Sequence, residues 1–414
     1  MAKKTRSHVD DLRGVGKLAV EATKSVTDLV QSMHTTIASG PAILGSPLEG
    51  PVRLFTAPVY GTIRAVTKLV GSGIDYALSQ LAPLLGESVP GPEREAVLAA
   101  LNGVLGDYLH DTGNPLAIQM RFRHNGGQPL ILERDELRKE LPQASTKVLV
   151  LVHGSSMNDL QWNRNGHDHG AALARDLGYT PVYLHYNTGL HISTNGKAFA
   201  ELLEKLIAAW PVRVNELVLL GHSMGGLVAR SACHAGEVAS HAWRKSLRQL
   251  ICLGTPHHGS PLERGGSWAH LLIGVSRYSA PLGRLAKIRS AGVTDLRFGN
   301  VLDEHWEGRD RFAVGKDPRR ALKLPANVDC YAIAATTAPA PTESTKAKTK
   351  LPGDGLVPVD SALGRHEKPE LTLKFPKSNQ WIGYGMNHLD LLDNPEVYSQ
   401  IGAWLDDITT YELI

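Results

Sequence analysis

The stretch Gly221-His222-Ser223-Met224-Gly225-Gly226 places a serine between glycines, directly after the apolar run Leu217–Leu220 and before the helical stretch Gly225–Ala235. A strand-to-helix turn this sharp holds its serine at strained backbone angles, and the flanking strand and helix leave no room for Cβ atoms beside it. The hydroxyl then projects at a helix N-terminus, whose dipole favours developing negative charge. Ser223 is therefore the expected nucleophile of an acyl-transfer reaction. Its attack on a carbonyl needs prepositioned donors for the oxygen that becomes negative, each worth roughly 3 kcal/mol. The Met224 backbone N–H, just after the nucleophile, is one such donor. The second is expected from His153-Gly154-Ser155-Ser156, the loop after the apolar run Lys147–Val152. Ser155 N–H is the candidate there, with Gly154 allowing close backbone approach.

A serine needs a base to take its proton and a carboxylate to orient that base. On an elbow of this kind both partners follow in the order acid, then histidine. Asp354 lies in Pro352-Gly353-Asp354-Gly355-Leu356-Val357-Pro358, where glycines on both sides suit a carboxylate on a tight loop at a strand end. Asp360 is its competitor. His388 lies in Gly385-Met386-Asn387-His388-Leu389-Asp390, between the last expected strand and the final helix. His366 has the right order but precedes that strand. In this reading His388 takes the Ser223 proton and returns it to the leaving group, while Asp354 orients His388 and stabilises its imidazolium.

These side chains need a scaffold, and the hydrophobic pattern supplies one. Continuous apolar runs at Lys147–Val152, Pro181–His185, Leu217–Leu220, Gln249–Leu253 and Val328–Ala334 read as buried parallel strands, with Leu371–Phe375 as the last. Helical stretches at Gly170–Leu177, Gly196–Ala209, Gly225–Ala235 and Pro395–Ile408 separate them. The alternation predicts an α/β fold, a mostly parallel central sheet flanked by helices. A hairpin is expected around Asn125-Gly126-Gly127, between Leu116–Phe122 and Pro129–Leu132. Upstream, apolar residues at steps of three and four over residues 8–37, from Val52 to Val70, and through Val97, Leu101, Leu105 and Tyr108 predict an N-terminal helical extension. The expected division is thus a helical segment over residues 1–115 and a catalytic domain over 116–414. Ala338–Lys350, rich in Pro, Thr and Lys, reads as a solvated loop.

With 42% hydrophobic residues, the chain is neither disordered nor fibrous. A net charge of +3 favours neither nucleic acid nor a membrane held by charge alone. No run of 18 uninterrupted apolar residues occurs, and the basic start leads into His8-Val9-Asp10-Asp11 instead of an apolar core. With Cys233, Cys252 and Cys330 in apolar segments, the expected address is cytoplasmic, the thiols buried and reduced.

Taken with Gly254-Thr255-Pro256-His257-His258-Gly259-Ser260, these motifs resemble a bacterial serine esterase/lipase of the α/β-hydrolase family, in its lipase / GPI inositol-deacylase-like branch. The resemblance runs over roughly residues 116–410. It implies the α/β-hydrolase fold and a lid region over residues 261–301, where Trp268 and Leu271 would meet an acyl chain or else pack within a helix. His222 and His257, inside the shared motifs, are further candidates for substrate contact. In some related lipases an aspartate two residues after the catalytic histidine holds calcium. Asp390 stands at that position with Asp393 nearby, although capping before Pro395 accounts for both. His167-Asp168-His169, with His185 and His191 further on, has the residue types of a zinc site but lacks cysteine partners.

The expected function is a serine carboxylester hydrolase working through an acyl-enzyme on Ser223, with no cofactor and a small-molecule or lipid ester as substrate. An acyltransferase or amidase would use the same triad, because only the acceptor differs. A binding protein whose N-terminal helices associate with a membrane, a granule or a second copy is the reading from another class.

Overall fold

The computed structural model describes residues 92–411, apart from 125, 261–289, 310–316, 318 and 342–350. The helical patterns expected over 8–37 and 52–70, Trp268, Leu271 and most of the loop Ala338–Lys350 lie outside the described residues.

The first described element is helix α1 (Pro92–Asp111). A hairpin follows, β1 (Arg121–His124) with β2 (Gln128–Pro129), then a short helix α2 (Arg134–Glu140). From β3 (Lys147–Val152) the chain alternates: α3 (His169–Leu177), β4 (Thr180–His185), α4 (Ile192–Ala209), β5 (Glu216–His222), α5 (Met224–Val238) and β6 (Leu247–Leu253). The last part holds α6 (Ala291–Asp295), β7 (Asp329–Thr336), α7 (Val359–Ala362), β8 (Gln380–Tyr384) and α8 (Pro395–Tyr411). Eight strands form one sheet in the order β2-β1-β4-β3-β5-β6-β7-β8. From β4 to β8 every neighbouring pair is parallel, and only the β1 pairings are antiparallel.

Strand β3 shows why the sheet is covered on both faces. Its side chains alternate with period two, Val148, Val150 and Val152 entering one apolar cluster and Leu149 and Leu151 the other. The first cluster holds α4 and α5 residues such as Phe199, Leu203, Leu227 and Val228; the second holds Leu173 of α3 and Ile401 and Leu405 of α8. Leu98, Leu101, Val104, Leu105 and Leu109 of α1 belong to the first cluster. The core therefore begins upstream of Leu116, inside the segment expected to be an extension.

The chain winds outward from β3 to β4, then crosses back to β5 on the other side of β3. Loops leaving the carboxyl ends of β3 and β5 diverge at this switch point, the usual ligand position in open α/β sheets. Both the Ser155 loop and the Ser223 turn leave the sheet at this point.

Two expected strands differ. Leu371–Phe375 is not the last strand: Pro369–Leu371 is a short 3-10 turn, and the buried Leu373 and Phe375 follow with no ladder partner. Their alternation reflects packing beneath the sheet, with Leu373 N–H bonded to Gly364 O. The last strand is β8, a half-exposed edge whose pattern is weak. Leu116–Met120 is also not strand, because Asn102 of α1 takes its backbone, accepting from Ile118 N–H and donating to Leu116 O, both at 2.9 Å. Among the described residues no helix is long and apolar enough to cross a membrane. The three cysteines are free and buried.

Candidate active site

Ser223 follows β5 and occupies the N-cap position of α5 at φ 54° and ψ −124°. This region costs a non-glycine residue roughly 1–3 kcal/mol, so the surroundings must hold it. Ser223 N–H donates to Leu253 O at 2.8 Å, and Gly226 N–H donates to Ser223 O at 3.1 Å. Gly225 lets α5 start against the end of β3, since a Cβ there would lie 2.1 Å from Val152 O.

Asp354 sits on the loop after β7 and is 2% exposed. Its Oδ1 accepts from Leu356 N–H at 2.9 Å and Val357 N–H at 2.7 Å. Its Oδ2 lies 2.7 Å from His388 Nδ1. A second tie joins the two backbones, His388 N–H to Asp354 O at 3.0 Å. Because an ionised carboxylate only accepts, the Nδ1 proton belongs in this bond and Nε2 is left as the basic end of the ring. That Nε2 is buried and has no hydrogen-bond partner among the described residues. The competitors lie elsewhere: Asp360 is near Arg365, and His366 faces Asp317 and His258.

His222, the residue before Ser223, keeps His388 beside the turn. Its ring centroid is 4.7 Å from that of His388, and its Nε2 lies 3.2 Å from His388 O. Burial, with the neighbouring His388, holds its pKa well below the usual histidine range, so the ring stays neutral. His257 accepts from Arg230 Nη1 at 3.2 Å through Nδ1 and packs on Phe375. Burial and Arg230 hold it neutral as well. His222 and His257, both expected at the substrate, are buried and both rings have internal partners.

Gly154 brings the Ser155 loop against the turn, a Cβ there falling 3.1 Å from Ser223 Cβ. Among the described residues, neither Ser155 N–H nor Met224 N–H has an acceptor. Two buried donors without partners beside a serine are what an oxyanion requires. Behind them, His153 stacks on Tyr186 at 4.4 Å, and Tyr186 Oη donates to His153 O at 2.8 Å. Burial pushes the His153 pKa down to about 3, so its neutral ring can direct the Nδ1 proton to Gly154 O, 2.9 Å away.

The proposed metal positions have structural work. Asp390 Oδ2 accepts from Asn387 N–H at 2.8 Å, and Asp393 Oδ2 accepts from Asn165 Nδ2 at 2.5 Å. Asp168 caps α3 and accepts from Tyr183 Oη, while His169 Nε2 lies 3.0 Å from Leu391 O. No group of three His, Cys, Asp or Glu among the described residues is arranged to hold a metal ion. The described part of the expected lid region, residues 290–301, is packed inside: Asp295 of α6 is buried and accepts from Ile192 N–H and Asn300 Nδ2. Sequence reasoning missed Arg123 and Asp159, which form a buried group with His185 near the Ser155 loop that no motif marks.

Residues 143–315 match the family described as a PGAP1-like alpha/beta domain, a stretch that holds Ser155, Ser223 and Met224 and ends before Asp354. No curated protein matches the chain. Among solved structures, the chain is similar to a lipase of Bacillus licheniformis in its mature form, at 16% identity over 63% of this chain and 91% of that one, with a TM-score of 0.40. An esterase of Pyrococcus furiosus is 13% identical over 64% of this chain and 83% of its own, with a TM-score of 0.36. A thermophilic esterase of Thermogutta terrifontis is 16% identical over 71% and 95%, with a TM-score of 0.34. The chain carries an α/β fold, with a mostly parallel eight-stranded sheet between helices.

Proposed function

We propose that the chain is a serine carboxylester hydrolase. The observation that carries this reading is the buried Asp354–His388 pair, with Nε2 of His388 left free next to the strained Ser223 turn. His388 draws the proton from Ser223 as the hydroxyl attacks the ester carbonyl. The negative oxygen is received by the N–H groups of Ser155 and Met224. Collapse of this intermediate expels the alcohol, protonated by His388, and leaves the acyl group on Ser223. Water, activated by the same ring, then releases the acid. Asp354 holds the ring in its working tautomer and stabilises the imidazolium. The reaction asks for no metal and no redox group.

A series of p-nitrophenyl esters from acetate to palmitate tests this reading. Wild type should release a burst of nitrophenolate followed by slower turnover wherever deacylation limits, and Ser223→Ala should lose kcat by about 10⁴-fold or more. Turnover that survives Ser223→Ala overturns the assignment. Added alcohols settle the acceptor: products dominated by the new ester would make the chain an acyltransferase on the same serine.

A further inference from the structure

Helix α1 lies against the loop that carries Ser155, and its contacts there are closer than ordinary packing. A Cβ on Gly103 would fall 1.9 Å from Ser156 Oγ, 2.8 Å from its Cβ and 2.9 Å from its Cα. Only a glycine lets the helix backbone come this near. Ser156 is fully buried and has φ 58°, a left-handed conformation for a residue with a side chain. Such a conformation persists where neighbours over-determine it. Gly103 presses on one side, and on the other Ser156 N–H donates to Thr188 Oγ1 at 3.0 Å.

One turn further along α1, Gly106 repeats the pattern. Its carbonyl accepts from Asn187 Nδ2 at 2.8 Å, and a Cβ there would fall 1.9 Å from Asn187 Oδ1. The helix therefore also fixes the segment that supplies Thr188. Near the start of α1, Glu95 Oε2 lies 2.8 Å from Arg123 Nη1, which lies 3.1 Å from Asp159 Oδ1. Asp159 opens the 3-10 turn in which the loop ends, and its Oδ1 is 3.0 Å from His185 Nδ1. Both ends of the Ser155 loop are thus tied to one helix. Glycine in a helix interior costs roughly 1 kcal/mol relative to alanine, so α1 gives up intrinsic stability at Gly103 for this approach.

We propose that α1 is a positioning element of the active site, and that its Gly103 contact fixes the Ser156 turn and with it the direction of the Ser155 N–H. The proposal rests on the reading of Ser155 N–H as an oxyanion donor. A donor removed outright costs about 10²–10³ in kcat, so one tilted by a displaced turn should cost about 10–100-fold. Substrate binding in the ground state does not use that donor fully, so KM should move less than about threefold.

The test uses the full chain, with p-nitrophenyl butyrate turnover, fluorophosphonate titration of Ser223 and a thermal melt for each variant. Gly103→Ala should lower kcat by about 10–100-fold with KM and folding kept. Adding Ser156→Gly removes the two closest collisions and suits the left-handed turn, so the double variant should recover most of the lost kcat. Unchanged kcat in Gly103→Ala overturns the proposal, and so does a double variant no better than the single one. Should Gly103→Ala fail to fold, Thr188→Val removes the other support of Ser156 without changing its volume. The same loss of kcat is expected there, and wild-type kcat overturns the proposal. A wild type that turns over esters without labelling at Ser223 strikes the site reading instead, so the two failures are distinguishable.

Discussion

Asp354→Asn tests the logic of the site more sharply than removing the nucleophile. The two oxygens of Asp354 have different partners: Oδ1 accepts from two backbone N–H groups, at 2.9 and 2.7 Å, and Oδ2 meets His388 Nδ1 at 2.7 Å. An asparagine must keep its carbonyl oxygen on the backbone side, because an NH₂ group there would face two donors. Its NH₂ then points at His388 Nδ1, which can only accept. The ring proton is forced to Nε2, the atom that should receive the Ser223 proton. Volume and burial are unchanged, yet the base sits in the wrong tautomer. A loss of about 10⁴ in kcat is expected, about 5.5 kcal/mol of transition-state stabilisation. Stability should fall by only about 1 kcal/mol, as three charge-assisted bonds become neutral ones. Steady-state turnover of a short p-nitrophenyl ester, with a urea melt on the same sample, measures both. A folded Asp354→Asn protein whose kcat stays within about tenfold of wild type refutes the reasoning.

Other consequences follow from the same contacts. Leu105→Ala should destabilise the protein by about 2–5 kcal/mol in a urea melt, because Leu105 is 2% exposed within the main core; a change below about 0.5 kcal/mol would make α1 an appendage. Gly254→Ala should lower kcat by about 10²-fold, since Gly254 has φ +56° and its Cβ would lie 3.1 Å from His388 Nδ1; retained activity would show that His388 does not depend on this backing. Burial pushes the pKa of His153 to about 3 and that of His169 to about 4, below the ordinary 6.5. Below pH 6.5 the unfolded chain binds protons that the native chain refuses, so their contribution is full above that pH and is lost as pH falls toward 4. Melts between about pH 7.5 and about pH 5.5 should show stability falling by about 1 kcal/mol for each ring, less so in His169→Gln; flat or rising stability on acidification contradicts this.

The site was legible in the sequence where local chemistry is demanding. A serine between glycines at a strand end is rare enough to mark a turn, and Lys147–Val152 has no reading other than a buried strand. The order of Asp354 and His388 along the chain followed from how such a turn is served, and the structure brings the two within 2.7 Å. What stayed hidden depends on contacts between distant segments. Leu371, Leu373 and Phe375 alternate like a strand yet bury themselves without a ladder, whereas Gln380–Tyr384 pairs at an edge with little pattern to announce it. The His388 carbonyl and Arg230, the partners of His222 and His257, are likewise contacts that spacing along the chain cannot reveal. Glycine inside a helix is intrinsically unfavourable, and no motif of the sequence singles out Gly103 or Gly106 in α1. Their use appears only once Ser156 and Asn187 are seen against them.

The central claim is that Ser223 is a nucleophile activated by His388. Treating the full chain with a fluorophosphonate probe and mapping the adduct by peptide mass tests it most directly. One adduct per chain on Ser223 is predicted, with labelling abolished in Ser223→Ala and strongly slowed in His388→Ala. An adduct on another residue, or labelling that persists in Ser223→Ala, contradicts the account.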